Sequence, residues 1–527
     1  MSYQKSPLLR DQLRRCAVGY GDKTAFIEGQ RQRTWAEVDR RTDALAAGMQ
    51  NLGIGKGDVV AMLAKDHLEV IELWFACLKI GAVRVGINWR YAPREMLHLI
   101  RDSNARLVFV EAECRQLLGD GFNELQQESC QLAGFGGDHG LEIDFDELIA
   151  ADQTPTLPEL SEDDLSAISY TSGTTGLPKG AIWTQRGARD ALMHSVLEMG
   201  LRHEDTYFAP FPMAGVPILN GSLGLTNGLT TLILEGSFDP EGALQQMQLH
   251  RATVAILVPT MMQSIIERYR AGSYELSLRL LTYGSSPATP PLIRDAIATF
   301  GCEIMQLYGL TESTAGWLSF LRHAEHLRGL EEPELLTSCG RPAMHVDLQI
   351  HTPEGERLPA GEIGEIVVRS STNIPGYLNL PEENAELYNG DWLRTNDLGR
   401  MDEEGYLYLT DRRKFMIISG GYNVYPVVVE NVLAEHPAVR EVAVVGIPHP
   451  KWGEAVVAMV SMQVGKSADF QELADFCRER VGKWEIPKHV VFVDDLPKGV
   501  TGKIAKFVIR ESLKNDPGQF PWQFDVV

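Results

Sequence analysis

The sequence predicts an α/β protein, with a large N-terminal domain of packed, mostly parallel sheets and helices followed by a small α+β C-terminal domain. Three observations carry this reading. Strand-like and helix-like segments alternate along the first part of the chain, the elements become shorter after Gly399, and 527 residues exceed what one hydrophobic core usually serves.

The alternation starts with apolar residues at helical spacing from Thr34 to Gly53, followed by a short buried strand over Asp58 to Ala64 and a second helical stretch over 67–82. A helical segment at 93–103 leads into the strand RLVFVE at 106–111, the order expected of a parallel sheet. The acidic, proline-containing stretch Gln153 to Asp164 reads as a connector into the strand LSAISY. Beyond Gly399, VREVAVVGI and EAVVAMVSM read as strands and Asp469 to Arg480 as a helix. The charged run Asp411, Arg412, Arg413, Lys414 is where a linker between two cores is expected, which divides the chain into 1–411 and 415–527.

Composition narrows the class. With 44% hydrophobic and 23% charged residues the chain has an ordinary globular make-up. A net charge of −22 argues against a nucleic-acid partner, which needs clustered Lys and Arg. Seven cysteines form no CxxC pair and no metal-ligand spacing, the N-terminal segment has no apolar core, and no apolar run is long enough to span a bilayer. A cytoplasmic protein without a transmembrane segment is expected; a homo-oligomer is left open.

The most informative segment is YTSGTTGLPKG, Tyr170 to Gly180. Glycines at 173, 176 and 180 permit backbone conformations closed to other residues and let amide N–H groups approach an anion. Thr171, Ser172, Thr174 and Thr175 add hydroxyls, and Lys179 adds a cation, so the residues suit a triphosphate cradle. The pattern is not GxxxxGK[ST], because Lys179 follows the last loop glycine, Gly176, by three residues and precedes no Ser or Thr. Taken alone, the same composition also fits a polar surface turn.

This segment resembles the signature loop of the adenylate-forming superfamily, which includes acyl-CoA synthetases, luciferases and peptide-synthetase adenylation domains. Further motifs follow in the family's order from Thr34 to Lys503. The resemblance, within the acyl-CoA synthetase branch, implies an ATP-dependent acid–thiol ligase. A carboxylic acid and ATP give acyl-AMP and pyrophosphate, and coenzyme A then takes the acyl group and releases AMP. ATP, Mg²⁺ and coenzyme A are the implied cofactor and co-substrates. An acyl-AMP ligase that loads an acyl carrier protein is the alternative.

The resemblance also implies site roles. QLYGLTE, Gln306 to Glu312, gives Tyr308 to the adenine, Thr311 to the α-phosphate and Glu312 to Mg²⁺. TYGSSP, Thr282 to Pro287, brings backbone at Gly284 and Ser285 to the adenine; the family more often has Gly-Ala at Ser285 and Ser286. LRTNDLG, Leu393 to Gly399, gives Asp397 to the ribose, with Asn396 where glycine is common. DRRKFMIISGGYNVYP, Asp411 to Pro426, gives Arg412 to the ribose or α-phosphate, a hinge at 412–414 with Lys414 as its pivot, and Gly420 and Gly421 to the coenzyme A tunnel. Asp411 and Phe415 depart from the usual glycine and acid there. LPKGVTGKI, Leu496 to Ile504, gives Lys503 as the catalytic lysine, carried by a small domain that the family moves between half-reactions.

FPMAGVPILNGSLG, Phe211 to Gly224, lies where family members line the acid pocket, and Gly215 stands where many have histidine or an aromatic. This predicts room for a hydrophobic, bulky acid among Met213, Gly215, Val216, Met261, Leu307 and Trp317. No Arg or Lys lies within the stretch, which speaks against a dicarboxylate.

Overall fold

In the first third of the chain, local sequence signals set the elements. Thr34 caps the helix Trp35–Asn51: its Oγ1 accepts from Glu37 N at 3.2 Å while Glu37 Oε2 accepts from Thr34 N at 2.8 Å, satisfying two amides that a helix start leaves unpaired. The helix Leu68–Ile80 ends at Gly81, whose φ of 70° suits glycine. A computed structural model describes residues 7–128, 130–171, 177–234, 236–412, 415–420, 422–478, 480–499, 503–516 and 520, without the side chains of Asp411 and Arg412.

Two sheets dominate the large domain. In the nine-stranded sheet, strands Glu303–Gly309, Leu280–Gly284, Val254–Leu257, Thr206–Ala209, Thr230–Ile233 and Thr24–Glu28 are parallel neighbours in that order, with antiparallel strands at both edges. The seven-stranded sheet places Gln131–Phe135, Leu107–Glu111, Val59–Ala64, Val83–Asn88 and Leu165–Thr171 side by side in parallel, then adds Lys179–Thr184 antiparallel. The expected helices and strands of residues 34–111 are therefore present, shifted by one or two residues at their ends.

Every residue of Leu68–Ile80 is buried, because the helix packs against strands of both sheets. Its charged residues are paired: Glu72 with Arg33 and Arg41, and Lys79 with Asp39 and Asp43 at 2.7 Å each. Such pairing offsets the desolvation that a lone buried charge would suffer.

Strand Val83–Asn88 has two differently used faces. Val83, Val85 and Ile87 join a core with Val108, Ile168 and Tyr170, while Arg84 and Gly86 face the other way, toward the loop after strand Thr206–Ala209. Period-two alternation produces this division.

A third, antiparallel sheet contains Asp347–His351, Gly364–Arg369, Trp392–Met401, Tyr388–Asn389 and Leu407–Arg412. The change in texture after Gly399 begins within this sheet, ahead of the linker expected at 411–414: Gly399 pairs with Leu409, and Asp397 with Arg412.

The C-terminal domain is α+β. Its sheet orders Tyr422–Val424, Ile417–Ser419, Gly453–Met462 and Val439–His449 antiparallel, with His489–Val493 parallel to Gly453–Met462. Val442 and Val444 pack on one side with Val429, Leu433, Leu473 and Cys477, while Ala443, Val445 and Ile447 pack on the other with Ile509 and Leu513. Each described core cluster lies wholly within one of the two domains.

Candidate active site

Four adjacent parallel strands of the nine-stranded sheet each deliver a predicted site segment just past their carboxyl ends. Strand Thr206–Ala209 leads to Met213–Val216, Val254–Leu257 to Met261, Leu280–Gly284 to Ser285, and Glu303–Gly309 to Thr311 and Glu312. In the seven-stranded sheet the predicted segment opened by Thr171 likewise follows a strand end, and Asp66, which the sequence reading did not name, follows strand Val59–Ala64. Ligands bind at such carboxyl ends in open α/β sheets, where side chains of separate loops converge on a crevice.

The backbone after these strands is tightly constrained. A Cβ on Gly284 would stand 2.3 Å from Leu307 O, so only glycine allows this approach to the neighbouring strand. Ser285 follows with φ of 69°, and Thr314 and Ala315 reverse the chain after Glu312 with φ of 50° and 55°. Non-glycine residues rarely adopt this region, and such strain is concentrated at functional loops.

Tyr308 and Asp397 come together from different sheets: the phenol donates to Asp397 Oδ2 at 2.8 Å, and both side chains are buried. Burial, reinforced by the Asp397 charge, pushes the phenol far above its ordinary range, so it remains a donor. Asn396, beside Asp397, has φ of 59°, a conformation asparagine tolerates better than most residues. The substitution of asparagine for the family's common glycine is thereby accommodated.

Glu312 is held by a residue that the sequence reading missed. Tyr377 Oη donates to Glu312 Oε1 at 2.6 Å, and Ile374 N donates to Glu312 O at 2.9 Å. Among the described residues Glu312 Oε2 accepts no hydrogen bond, which leaves a hard carboxylate oxygen of the type a magnesium ion takes. Tyr377 also lies under Lys179, whose Nζ is 5.9 Å from the ring centroid and 3.1 Å from Glu383 Oε1. Lys179 is in turn opposite Thr171 across an antiparallel pair. Ser172, Gly173, Thr174, Thr175 and Gly176 lie outside the described residues, as do Lys414, Gly421 and the Arg412 side chain. The backbone of Arg412 is directly across from Asp397.

In the predicted acid pocket, Met213, Met261, Leu307 and Trp317 are buried and Val216 packs against the same core. Gly215 has room for a Cβ: among the described residues it would meet only Ser169 Oγ, at an ordinary contact distance of 3.7 Å. No cation lies within Phe211–Gly224, but Arg84 reaches that loop from strand Val83–Asn88. Its Nη2 donates to Met213 O at 2.7 Å and its Nη1 to Ala214 O at 3.4 Å. Asp66 completes the clamp by accepting from Met213 N at 2.6 Å. Burial raises the Asp66 carboxyl to about 6 and lowers the Arg84 guanidinium to about 10.

In the small domain, Gly420 N donates to Trp452 O at 2.8 Å, and Trp452 stacks on His449 with ring centroids 4.2 Å apart. Phe415, the residue in place of an acid, lies 5.9 Å from Lys506 Nζ, which also pairs with Glu430 at 2.9 Å. Lys503 occupies a short irregular segment: its carbonyl accepts from Gly499 N at 2.7 Å and the next residue, Ile504, bridges Lys498. The hollows near Arg115 and Gln50 are lined by none of these groups.

Comparison with known proteins agrees with this geometry. A profile described as AMP-binding enzyme matches residues 13–378, and one described as AMP-binding enzyme C-terminal domain matches 428–503. The chain is 35% identical over 490 residues to a feruloyl-CoA synthase of an Amycolatopsis species, covering 92% of this chain and 95% of that protein. It is 31% identical over 494 residues to a fatty acid–[acyl-carrier-protein] ligase of Streptomyces coeruleorubidus, with 92% of each covered. The solved amide bond synthetase of Marinactinospora thermotolerans superposes with a TM-score of 0.86 at 31% identity, over 96% of this chain and 99% of that one. With both profiles matched in order and these relatives aligned almost end to end, the chain belongs to the AMP-binding enzyme family, in its adenylate-forming acyl-CoA ligase group, and is an AMP-forming acid–thiol ligase.

Proposed function

We propose that this ligase activates a hydrophobic, bulky carboxylic acid and transfers it to coenzyme A. The observation that carries the acid class is Gly215: the loop is clamped by Asp66 and Arg84, yet space remains where a side chain would stand, beside buried Met213, Met261, Leu307 and Trp317. A pocket of this lining gains from burying apolar surface, at about 25 cal/mol per Å².

The substrate carboxylate is itself the nucleophile, so adenylation needs positioning and charge neutralisation rather than a protein base. In this reading residues 172–176 and Lys179 hold the β- and γ-phosphates, while Thr311, Arg412 and Lys503 share the α-phosphate. Tyr308 and the Gly284–Ser285 backbone receive adenine, and Asp397 receives the ribose hydroxyls. Glu312 would hold Mg²⁺, which neutralises phosphate charge when bound. The carboxylate oxygen bonds to the α-phosphorus as the bond to pyrophosphate breaks. The small domain then turns about 412–414 and presents Gly420 and Gly421 to the pantetheine arm. The thiol attacks the acyl carbon, loses its proton, and expels AMP.

The exposed Tyr422–Trp484 stack, with ring centroids 4.8 Å apart, gives the Gly420 face an aromatic surface suited to the coenzyme's base. Seven unpaired cysteines fit a reducing cytoplasm, and no described helix is long and apolar enough to cross a membrane. The carrier-protein ligase among the relatives supports a second reading, in which a holo-carrier thiol replaces free coenzyme A.

A pyrophosphate-release screen over short, long, aromatic and polycyclic acids, with and without coenzyme A and with a holo-carrier, tests both parts. The expected result is turnover of bulky acids that requires free coenzyme A. Turnover with the carrier alone would establish the second reading, and preference for short acids would refute the pocket.

A further inference from the structure

Beneath the Met213–Gly215 loop lies a small polar floor that adenylation chemistry does not use. Strands Val83–Asn88 and Leu165–Thr171 are parallel neighbours, with Arg84 opposite Ala167 and Val85 opposite Ile168. The same register sets Gly86 beside Ser169. Period-two alternation then aims Arg84, Gly86 and Ser169 at one face, the face covered by the loop. Gly86 makes the approach close, since a Cβ there would stand 2.0 Å from Ala214 O. Arg84 donates to Met213 O and Ala214 O, and among the described residues Ser169 Oγ is the sole atom within 4 Å of a Cβ built on Gly215.

Two hydrogen-bonding groups on this floor are unused. Arg84 is 2% exposed and Ser169 4% exposed, and among the described residues neither Arg84 Nε nor Ser169 Oγ has a hydrogen-bond partner. Native interiors rarely leave such groups unpaired, because each forfeits a bond it made to water. Ser169 Oγ lies beside the place a Gly215 side chain would take, and Arg84 Nε lies on the same face of the floor, in a chain whose acid pocket is otherwise apolar.

We propose that Ser169 and Arg84 recognise an oxygen substituent of the acid, so that the preferred substrate is an oxygenated bulky acid, bearing a hydroxyl or carbonyl group where it passes Gly215, rather than a plain hydrocarbon acid. The Arg84 N–H donates to that oxygen. The Ser169 hydroxyl donates to a carbonyl or exchanges a hydrogen bond with a hydroxyl. Asp66 and the remaining Arg84 N–H groups keep the loop in register with the floor. A site built to hydrogen-bond a substrate group rejects an analogue lacking it far more strongly than an apolar pocket rejects a missing methylene. This inference rests on the placement of the acid pocket at Gly215.

The test uses the full-length enzyme and matched pairs of aromatic and aliphatic acids that differ only in one hydroxyl or oxo group. The readout is the ratio of kcat/KM within each pair, which cancels any general loss of activity. The wild type is expected to favour the oxygenated member of at least one pair by about tenfold or more, and Ser169→Ala to bring that ratio to about twofold or less. Arg84→Met should also lower it. Absence of discrimination in the wild type, or an unchanged ratio in Ser169→Ala, overturns the proposal. Gly215→Trp separates this failure from failure of the pocket itself: unchanged kinetics with every acid would show that the pocket lies elsewhere. Exclusion of bulky acids by Gly215→Trp, together with an unchanged Ser169→Ala ratio, would refute only the polar floor.

Discussion

The two domains supply the same reaction in different ways. In the large domain the proposed site groups are held by neighbours: Glu312 by Tyr377, Asp397 by Tyr308, Lys179 by Glu383, and the acid loop by Asp66 and Arg84. In the small domain, Lys503 and Gly420 lie on short segments at the ends of elements, and the described apolar cores do not cross between domains. In the proposed mechanism this difference assigns the positioning of nucleotide and acid to the large domain, and leaves the small domain to bring one group at a time.

Lys503→Ala should break this division most visibly. We expect adenylate formation to fall by about 10²-fold or more, since a cation aimed at transition-state charge is removed. Thioester formation from supplied acyl-adenylate should be retained, and single-turnover assays of the two halves check this. Equal loss of both would contradict the division. Within the large domain, Tyr377→Phe removes the bond to Glu312 and should lower kcat/KM for ATP about 5- to 10-fold, with a higher magnesium requirement in a titration. An unchanged magnesium profile would place the metal elsewhere.

Smaller effects test the scaffold. Asn396→Val should destabilise by about 1–2 kcal/mol because a β-branched residue resists the left-handed region, whereas Asn396→Gly should change stability by less than about 1 kcal/mol. Denaturant melts of the two variants distinguish these outcomes.

His67 offers a pH-dependent check. Its Nδ1 lies 2.6 Å from Glu28 Oε1 and its Nε2 3.2 Å from Glu111 Oε1. Burial opposes the charged ring, but the two carboxylates prevail and raise its pKa to about 10. A raised pKa stabilises the fold fully below the ordinary imidazole value and loses that contribution as pH rises through about 10. The wild-type Tm should therefore fall more than that of His67→Gln between pH 7 and pH 10.5, by a few degrees at most. Parallel declines would show that His67 carries no such linkage.

Local pattern made much of the fold legible. The helices Trp35–Asn51 and Leu68–Ile80 and the strands Val59–Ala64 and Leu107–Glu111 follow from periodicity and end signals within a few residues. Tyr308, Glu312 and Asp397 could be named because each lies in a compact motif. Tyr377 and Arg84 could not: Tyr377 meets Glu312 across 65 positions, and Arg84 meets Met213 across 129, so only the folded chain brings either pair together. Arg84 was also hidden by chemistry, because an arginine within VRVGIN reads as the polar face of a strand until a loop is found covering it. The shortening of elements after Gly399 begins inside the large domain's third sheet, since antiparallel strands with short turns occur in both domains.

The most direct test of the central claim follows the carboxylate oxygen. With the preferred acid labelled with ¹⁸O in its carboxyl group, ATP and coenzyme A, in-line attack on the α-phosphorus transfers one labelled oxygen to AMP and none to pyrophosphate. Mass spectrometry of the products should show this in every CoA-dependent turnover. Unlabelled AMP, or label recovered in inorganic phosphate alongside ADP, would contradict an acyl-adenylate and with it the assignment of this site.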